Sequence, residues 1–214
     1  QVVFKQKRAL PAGYYRVAVF GDEHLRYDCV KIFYTGENQC PDFNLYDYIP
    51  VDYEVRHKKP KNTKKQTERV YALQNKPAPQ WTLTDIEDRP VSLADIKSKV
   101  VLLNFTGIGC GACQLAIPFL KELKAKYTPE EFELIAIESW SGKTSTRKGY
   151  SENKELNYLF LGATEEVLKD YQTGRAAPWF FLLDENRIIR KIFFGYSEAR
   201  TGKEIEEAIT NLLK

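Results

Sequence analysis

At 214 residues, with 43% hydrophobic and 29% charged side chains, the chain has room for one ordinary domain and a smaller one, and enough apolar surface for a packed core. That excludes disorder of the whole, and no apolar stretch approaches the roughly 18 residues that a bilayer-crossing helix needs. The formal net charge of +3 is spread unevenly: residues 1–80 hold fourteen Lys and Arg against nine Asp and Glu, whereas residues 81–214 hold eighteen against twenty.

Residues 1–55 are rich in tyrosine and β-branched side chains, and the runs 14–20 and 26–34 read as strands flanking Gly21-Asp22-Glu23-His24. A small β-rich accessory module over 1–55 is the expectation. The opening Gln1-Val2-Val3-Phe4-Lys5 lacks the apolar core of a signal peptide and reads as a mature chain whose leader has been removed, which leaves open a membrane tether through that segment. Cys29 and Cys40 stand close enough in sequence for a structural disulfide, or are two unrelated small residues; spacing alone does not decide between them. Arg56-His57-Lys58-Lys59-Pro60-Lys61-Asn62-Thr63-Lys64-Lys65 is a proline-broken basic run, read as part of a solvated linker over 56–74. The sharper reading is electrostatic docking on anionic lipid or an acidic partner. Nucleic-acid binding would need aromatic or helical partners around those charges, and the run has none.

Residues 81–83 and 91–93 predict a short hairpin around Glu87-Asp88-Arg89-Pro90, followed by a helical turn at 94–97. The chemistry lies just beyond. Val100-Val101-Leu102-Leu103-Asn104-Phe105 is a buried-strand run, Gly107-Ile108-Gly109 is a turn, and Ala116, Phe119, Leu120, Leu123 and Tyr127 recur at helical spacing. Cys110 and Cys113 sit where the strand hands over to the helix. Unpaired backbone N–H groups and the positive end of the helix dipole there favour a thiolate on Cys110, and such thiols have pKa values lowered from about 8.5 to roughly 3.5–7.5. Cys113, one turn inside, is within disulfide reach and is the natural resolving thiol. Cys110 would attack a substrate disulfide, and Cys113 would then displace the substrate, with no metal or organic cofactor. Small Gly111 and Ala112 leave the sulfurs accessible.

Farther on, 132–137 reads as a second buried strand and completes a strand-helix-strand crossover. Residues 139–157 are polar and charged, with Trp140 at the strand's C-terminal end. A short strand at 158–161, a helix at 164–171 and a hairpin of 180–183 with 188–194 follow. Thr201 and Glu204 have capping-box spacing at the start of a last helix, in which Ile205, Ala208, Ile209, Leu212 and Leu213 form a core face.

Taken together, Lys76-Pro77-Ala78-Pro79-Gln80-Trp81, Val91-Ser92-Leu93, Leu103-Asn104-Phe105, Cys110-Gly111-Ala112-Cys113, Pro118 and Ala177-Pro178-Trp179-Phe180-Phe181-Leu182-Leu183-Asp184 resemble the thioredoxin superfamily. They are most similar to its TlpA/ResA-type thiol-disulfide oxidoreductases, relatives of the AhpC/TSA group. The resemblance covers about 75–214. It implies an α/β thioredoxin-like fold, a central mixed sheet flanked by helices, behind the smaller β-rich module. It also implies a periplasmic or otherwise extracytoplasmic enzyme, free or membrane-anchored, that exchanges disulfides with protein substrates and with an upstream thiol donor or acceptor, acting as a reductant.

By the same resemblance the Ala177–Pro178 bond should be cis and face the cysteine pair. Gly109, Ala177, Pro178 and Trp179 would then border the substrate. Three positions depart from the pattern: Gly109 where a tryptophan is frequent, Ala116 where several members carry glutamate, and Asn104 where cytosolic thioredoxins bury an aspartate. Rival readings are weaker. A peroxiredoxin-like peroxidase would have Thr at position 107, where this chain has Gly107; a zinc site built from Cys110 and Cys113 with either Cys29 and Cys40 or the two histidines lacks, in its second half, a spacing typical of structural zinc; a cysteine hydrolase needs a histidine, and His24 and His57 both lie outside the predicted catalytic domain. The non-enzymatic rival is a redox-inert binding module of the same fold.

Overall fold

The computed structural model describes residues 13–17, 30–34 and 63–214. The chain divides into two compact units, Gln1–Thr63 and Lys64–Lys214. In the first, β1 (Gly13–Val17) and β2 (Val30–Tyr34) pair antiparallel, Tyr15 opposite Ile32. The rest of the two predicted runs, 18–20 and 26–29, lies outside the described residues. Cys29, Cys40, His24 and the rest of the expected module lie outside the described residues, as does His57 in the stretch read as a linker.

Helix α1 (Thr63–Tyr71) falls inside the stretch read as a linker. The linker reading fails over these residues because the helix has something to bury. Val70 is fully inaccessible, and Gln66 Nε2 donates to the Thr173 carbonyl at 2.5 Å. A mostly polar nine-residue helix would be marginal alone; docking holds it.

The second unit is built on a seven-stranded sheet. Strands β3 (Thr82–Thr84) and β4 (Pro90–Ser92) form the predicted hairpin, and a 3₁₀ turn at Leu93–Asp95 follows. Then come β5 (Val100–Thr106), α2 (Gly111–Lys126), β6 (Phe132–Glu138), α3 (Thr144–Lys154), β7 (Leu159–Gly162), α4 (Glu165–Asp170), β8 (Trp179–Leu183), β9 (Ile189–Phe194) and α5 (Lys203–Leu212). The strand order is β4-β3-β7-β6-β5-β8-β9. Strands β5, β6 and β7 run parallel and the outer pairings are antiparallel, which makes the sheet mixed.

Alternation sorts the central strands onto two cores. Val101, Leu103, Phe105, Ile135, Ile137 and Phe181 face α1 and α4, meeting Val70, Val167 and Leu168. Val100, Leu102, Leu134, Ala136, Phe180 and Leu182 face α2 and α5, meeting Ala116, Leu120, Leu123, Ile205 and Ile209. Strands β5, β6 and β8 are covered on both sides, which is why their sequences read as continuous apolar runs.

One element adds to the predicted set, and one expectation needs correction. The polar stretch 139–157 contains α3, whose inward-facing residues are Arg147 and Ser151, four apart and both buried. A helix with a polar inner face has no apolar period to read. At the other end, Thr201 is no capping residue: it lies in a π-helical turn, Glu198–Gly202, and no side chain caps α5. Gly202, at φ −60° and ψ −49°, is already helical, so the extended N-cap that a capping box requires never forms.

Candidate active site

Strand β5 delivers the chain to the C-terminal edge of the parallel strands, and Cys110 N–H donates to the Gly107 carbonyl at 3.0 Å to close the turn. Gly109, at φ +92°, is the one residue in this turn that needs a left-handed backbone. Cys110 becomes the N-cap of α2, with φ −76° and ψ 114°, and its Sγ accepts from Cys113 N–H at 3.2 Å. A sulfur therefore occupies the position where a helix start binds negative charge. Cys110 and Cys113 are joined as a disulfide, their Cα atoms 5.2 Å apart. Cys110 is 7% exposed and Cys113 2%, the order expected of an outer and an inner thiol.

The Ala177–Pro178 bond is cis, as expected. Cys110 Sγ lies 3.8 Å from the Ala177 carbonyl oxygen, so the two predicted halves of the site, 67 residues apart in sequence, do meet. Ala177 is half-buried and Pro178 buried. Trp179 requires a correction: its indole is 1% exposed, packed edge-on against Tyr71 at 5.8 Å and tilted on Phe194 at 4.2 Å between ring centroids. It points into the core on the same face of β8 as Phe181 and Leu183, and its backbone lies in register between Phe105 of β5 and Phe194 of β9. Tyr71 and Phe194, 40% and 44% exposed, are the aromatics that reach the surface over it.

Asn104 is buried on the α2 face of β5, in register with Ala136 and Phe180, and its Oδ1 has no hydrogen-bond partner. Glu138 and Trp140 complete the surroundings. Glu138, 1% exposed, ends β6 and accepts three backbone N–H groups: Ile108 at 2.8 Å, Trp140 at 2.7 Å and Ser141 at 2.6 Å. Burial raises its carboxyl above the ordinary range, while those amides and the charge of Arg147 pull it partly back. Sequence reading passed over Glu138. The available signal was a carboxylate directly abutting a buried apolar strand at the edge where the cysteines sit.

A mixed sheet that sets a vicinal cysteine pair at a helix N-terminus beside a cis-proline loop defines a dithiol-disulfide protein of thioredoxin-like fold. The model of the AhpC/TSA family matches residues 74–192. The thiol-disulfide oxidoreductase ResA of Geobacillus thermodenitrificans is 30% identical over 144 residues, which are 67% of this chain and 82% of that protein. ResA of Geobacillus kaustophilus is 29% identical over 147 residues, 68% and 82% of the two chains. Among solved structures, a thioredoxin-family thiol:disulfide interchange protein of Chlorobium tepidum superposes with a TM-score of 0.56 at 20% identity, over 64% of this chain and 96% of that one, a likeness of fold. The chain belongs to the AhpC/TSA family and is a thioredoxin-like thiol-disulfide oxidoreductase. Separately, the model of the alpha-(1,3)-fucosyltransferase FucT N-terminal domain matches residues 4–64.

Proposed function

We propose that this enzyme works outside the cytoplasm as a reductant of protein disulfides, through the Cys110-Gly111-Ala112-Cys113 turn. The observation that carries the reading is the seat of Cys110 Sγ: it caps α2, accepts from Cys113 N–H at 3.2 Å and lies 3.8 Å from the Ala177 carbonyl. In the dithiol form the same amide and the helix dipole stabilise a Cys110 thiolate. That thiolate attacks one sulfur of a client disulfide and expels the other as a thiolate, forming a Cys110-client mixed disulfide. Cys113, deprotonated, then attacks Cys110 Sγ and expels the second client thiolate. Two electrons have passed to the client, its two thiolates take up protons, and the Cys110-Cys113 disulfide waits for an upstream dithiol donor. Gly109 and the backbone of Ala177 and Pro178 border the client segment, with Trp179 packed behind them.

The test is substitution of the inner thiol. Cys113→Ser, reduced and mixed with a disulfide-bonded protein, should accumulate a covalent adduct through Cys110 on non-reducing gels, and Cys110→Ser should form none; absence of any adduct with Cys113→Ser defeats the reading. Direction is read by titrating the pair in defined thiol-disulfide buffers. A midpoint near the thioredoxin value of about −270 mV fits a reductant, whereas one near the DsbA value of about −120 mV would make it an oxidant.

A further inference from the structure

The turn that carries Cys110 and the loop that leads to Pro178 are joined by two side chains that belong to neither. Glu138 Oε2 holds Ile108 N–H, two residues before Cys110, and its Oε1 holds Trp140 N–H and Ser141 N–H. Trp140, fixed in this way, lays its indole on the start of the turn: a Cβ on Gly107 would meet Trp140 Cε2 at 2.6 Å, so the ring can lie there only because residue 107 is glycine. The same indole donates from Nε1 to the Arg175 carbonyl at 2.8 Å. Arg175 stands two residues ahead of Ala177, whose carbonyl faces Cys110 Sγ.

We propose that Glu138 and Trp140 are the positioning pair of the exchange site: they set the spacing between the Cys110 turn and the 175–178 backbone against which a protein client lies. The inference rests on the reading of Cys110 and Cys113 as the exchanging pair. A carboxylate is suited to the task because three N–H donors converge on it and both of its oxygens accept. An amide in its place presents N–H hydrogens to at least one of those donors and must release an arm. Burying such a group is expensive unless its hydrogen bonds are made, and here all three go to loop amides. They hold the 108 turn and the 140–141 loop in one arrangement. Sub-ångström placement matters to the reaction, since a misplacement of about 1 Å can slow a positioned step by roughly 100-fold.

The test measures single-turnover oxidation of the reduced full chain by two disulfides: insulin, a protein client, and bis(2-hydroxyethyl) disulfide, which is too small to span the 175–178 backbone. Trp140→Phe keeps a ring over Gly107 and loses the link to Arg175. It should lower the ratio of the insulin rate to the small-disulfide rate about 10-fold, a fraction of the loss expected for a 1 Å misplacement. Glu138→Gln should slow both, because the turn itself shifts, and should move the pH profile of Cys110 alkylation. Gly107→Ala, which displaces the indole, should reproduce the Trp140→Phe ratio. Where Glu138→Gln does not fold, the other two variants carry the test. An unchanged ratio in both, with wild type active and Cys110→Ser inert, overturns the positioning role and leaves the exchange reading standing. A wild-type chain inert toward both disulfides overturns the exchange reading and this inference with it.

Discussion

Glu138 holds its three amide bonds while its carboxyl stays, through burial, above the ordinary range, and that combination fixes the sign of a pH effect. In the unfolded chain this carboxyl ionises at its ordinary value; in the fold it does so only at higher pH. Between the two values the folded protein binds the extra proton, so the stability attributable to Glu138 falls as pH rises through that window. The charged and titrating groups that act with it are the Arg147 guanidinium and Tyr150, whose phenol is raised first by its own burial and then by the charge of Glu138. Denaturant unfolding of wild type and Glu138→Gln at pH 4, 6 and 8 should therefore show wild type losing ground to the variant as pH increases. A difference that is flat, or that grows in wild type's favour with pH, contradicts the assignment.

At the level of elements, legibility followed the physical origin of each signal. Strand β5, the turn and α2 were readable because a run buried on both sides, a glycine-bracketed turn and the spacing of Cys113, Ala116, Leu120 and Leu123 each leave a mark in the order of residues. Helix α3 was not, because its anchor is a cation. Arg147 is 2% exposed and donates to the Gly142 carbonyl at 3.1 Å, to Thr144 Oγ1 at 3.2 Å and, more distantly, to the Asp85 carbonyl at 3.4 Å. Glu138 and the indole edge of Trp140 were hidden for a related reason: their partners are backbone amides and carbonyls, which every residue possesses and no sequence pattern announces. The join of α3 to the sheet is tight. A Cβ on Gly162, at the end of β7, would meet Arg147 Cζ at 2.6 Å, in a guanidinium held by its hydrogen bonds to Gly142, Thr144 and Asp85. Gly162→Ala should thus destabilise the protein by about 1–3 kcal/mol, the usual range for overpacking, as read by chemical denaturation. A neutral result would mean that Arg147 swings to solvent with little loss. In that case Gly162→Ala combined with Arg147→Met would be no more stable than Arg147→Met alone.

For the molecule as a whole, the redox state of two sulfurs and the stability of the sheet-and-helix unit are linked. The unit holds all three tryptophans, Trp81, Trp140 and Trp179, so their fluorescence reports its unfolding separately from that of Gln1–Thr63. If Cys110 is held as a thiolate by the Cys113 amide and the start of α2, its folded-state pKa lies below the value of about 8.5 that it takes in the unfolded chain. The stabilisation this gives the dithiol form is then complete above pH 8.5 or so and is lost as pH falls through the depressed folded value. The disulfide form has no such thiol to titrate. Urea unfolding of oxidised and reduced protein, followed by tryptophan fluorescence from about pH 5 to pH 9, should therefore show the reduced form gaining on the oxidised form as pH rises. Reduced Cys110→Ser should lack that gain, which separates Cys110 from Glu138, since Glu138 titrates in both redox forms and drives stability in the opposite direction. A gain that persists in Cys110→Ser would place the thiolate elsewhere and remove the helix-start argument for Cys110 as the attacking sulfur.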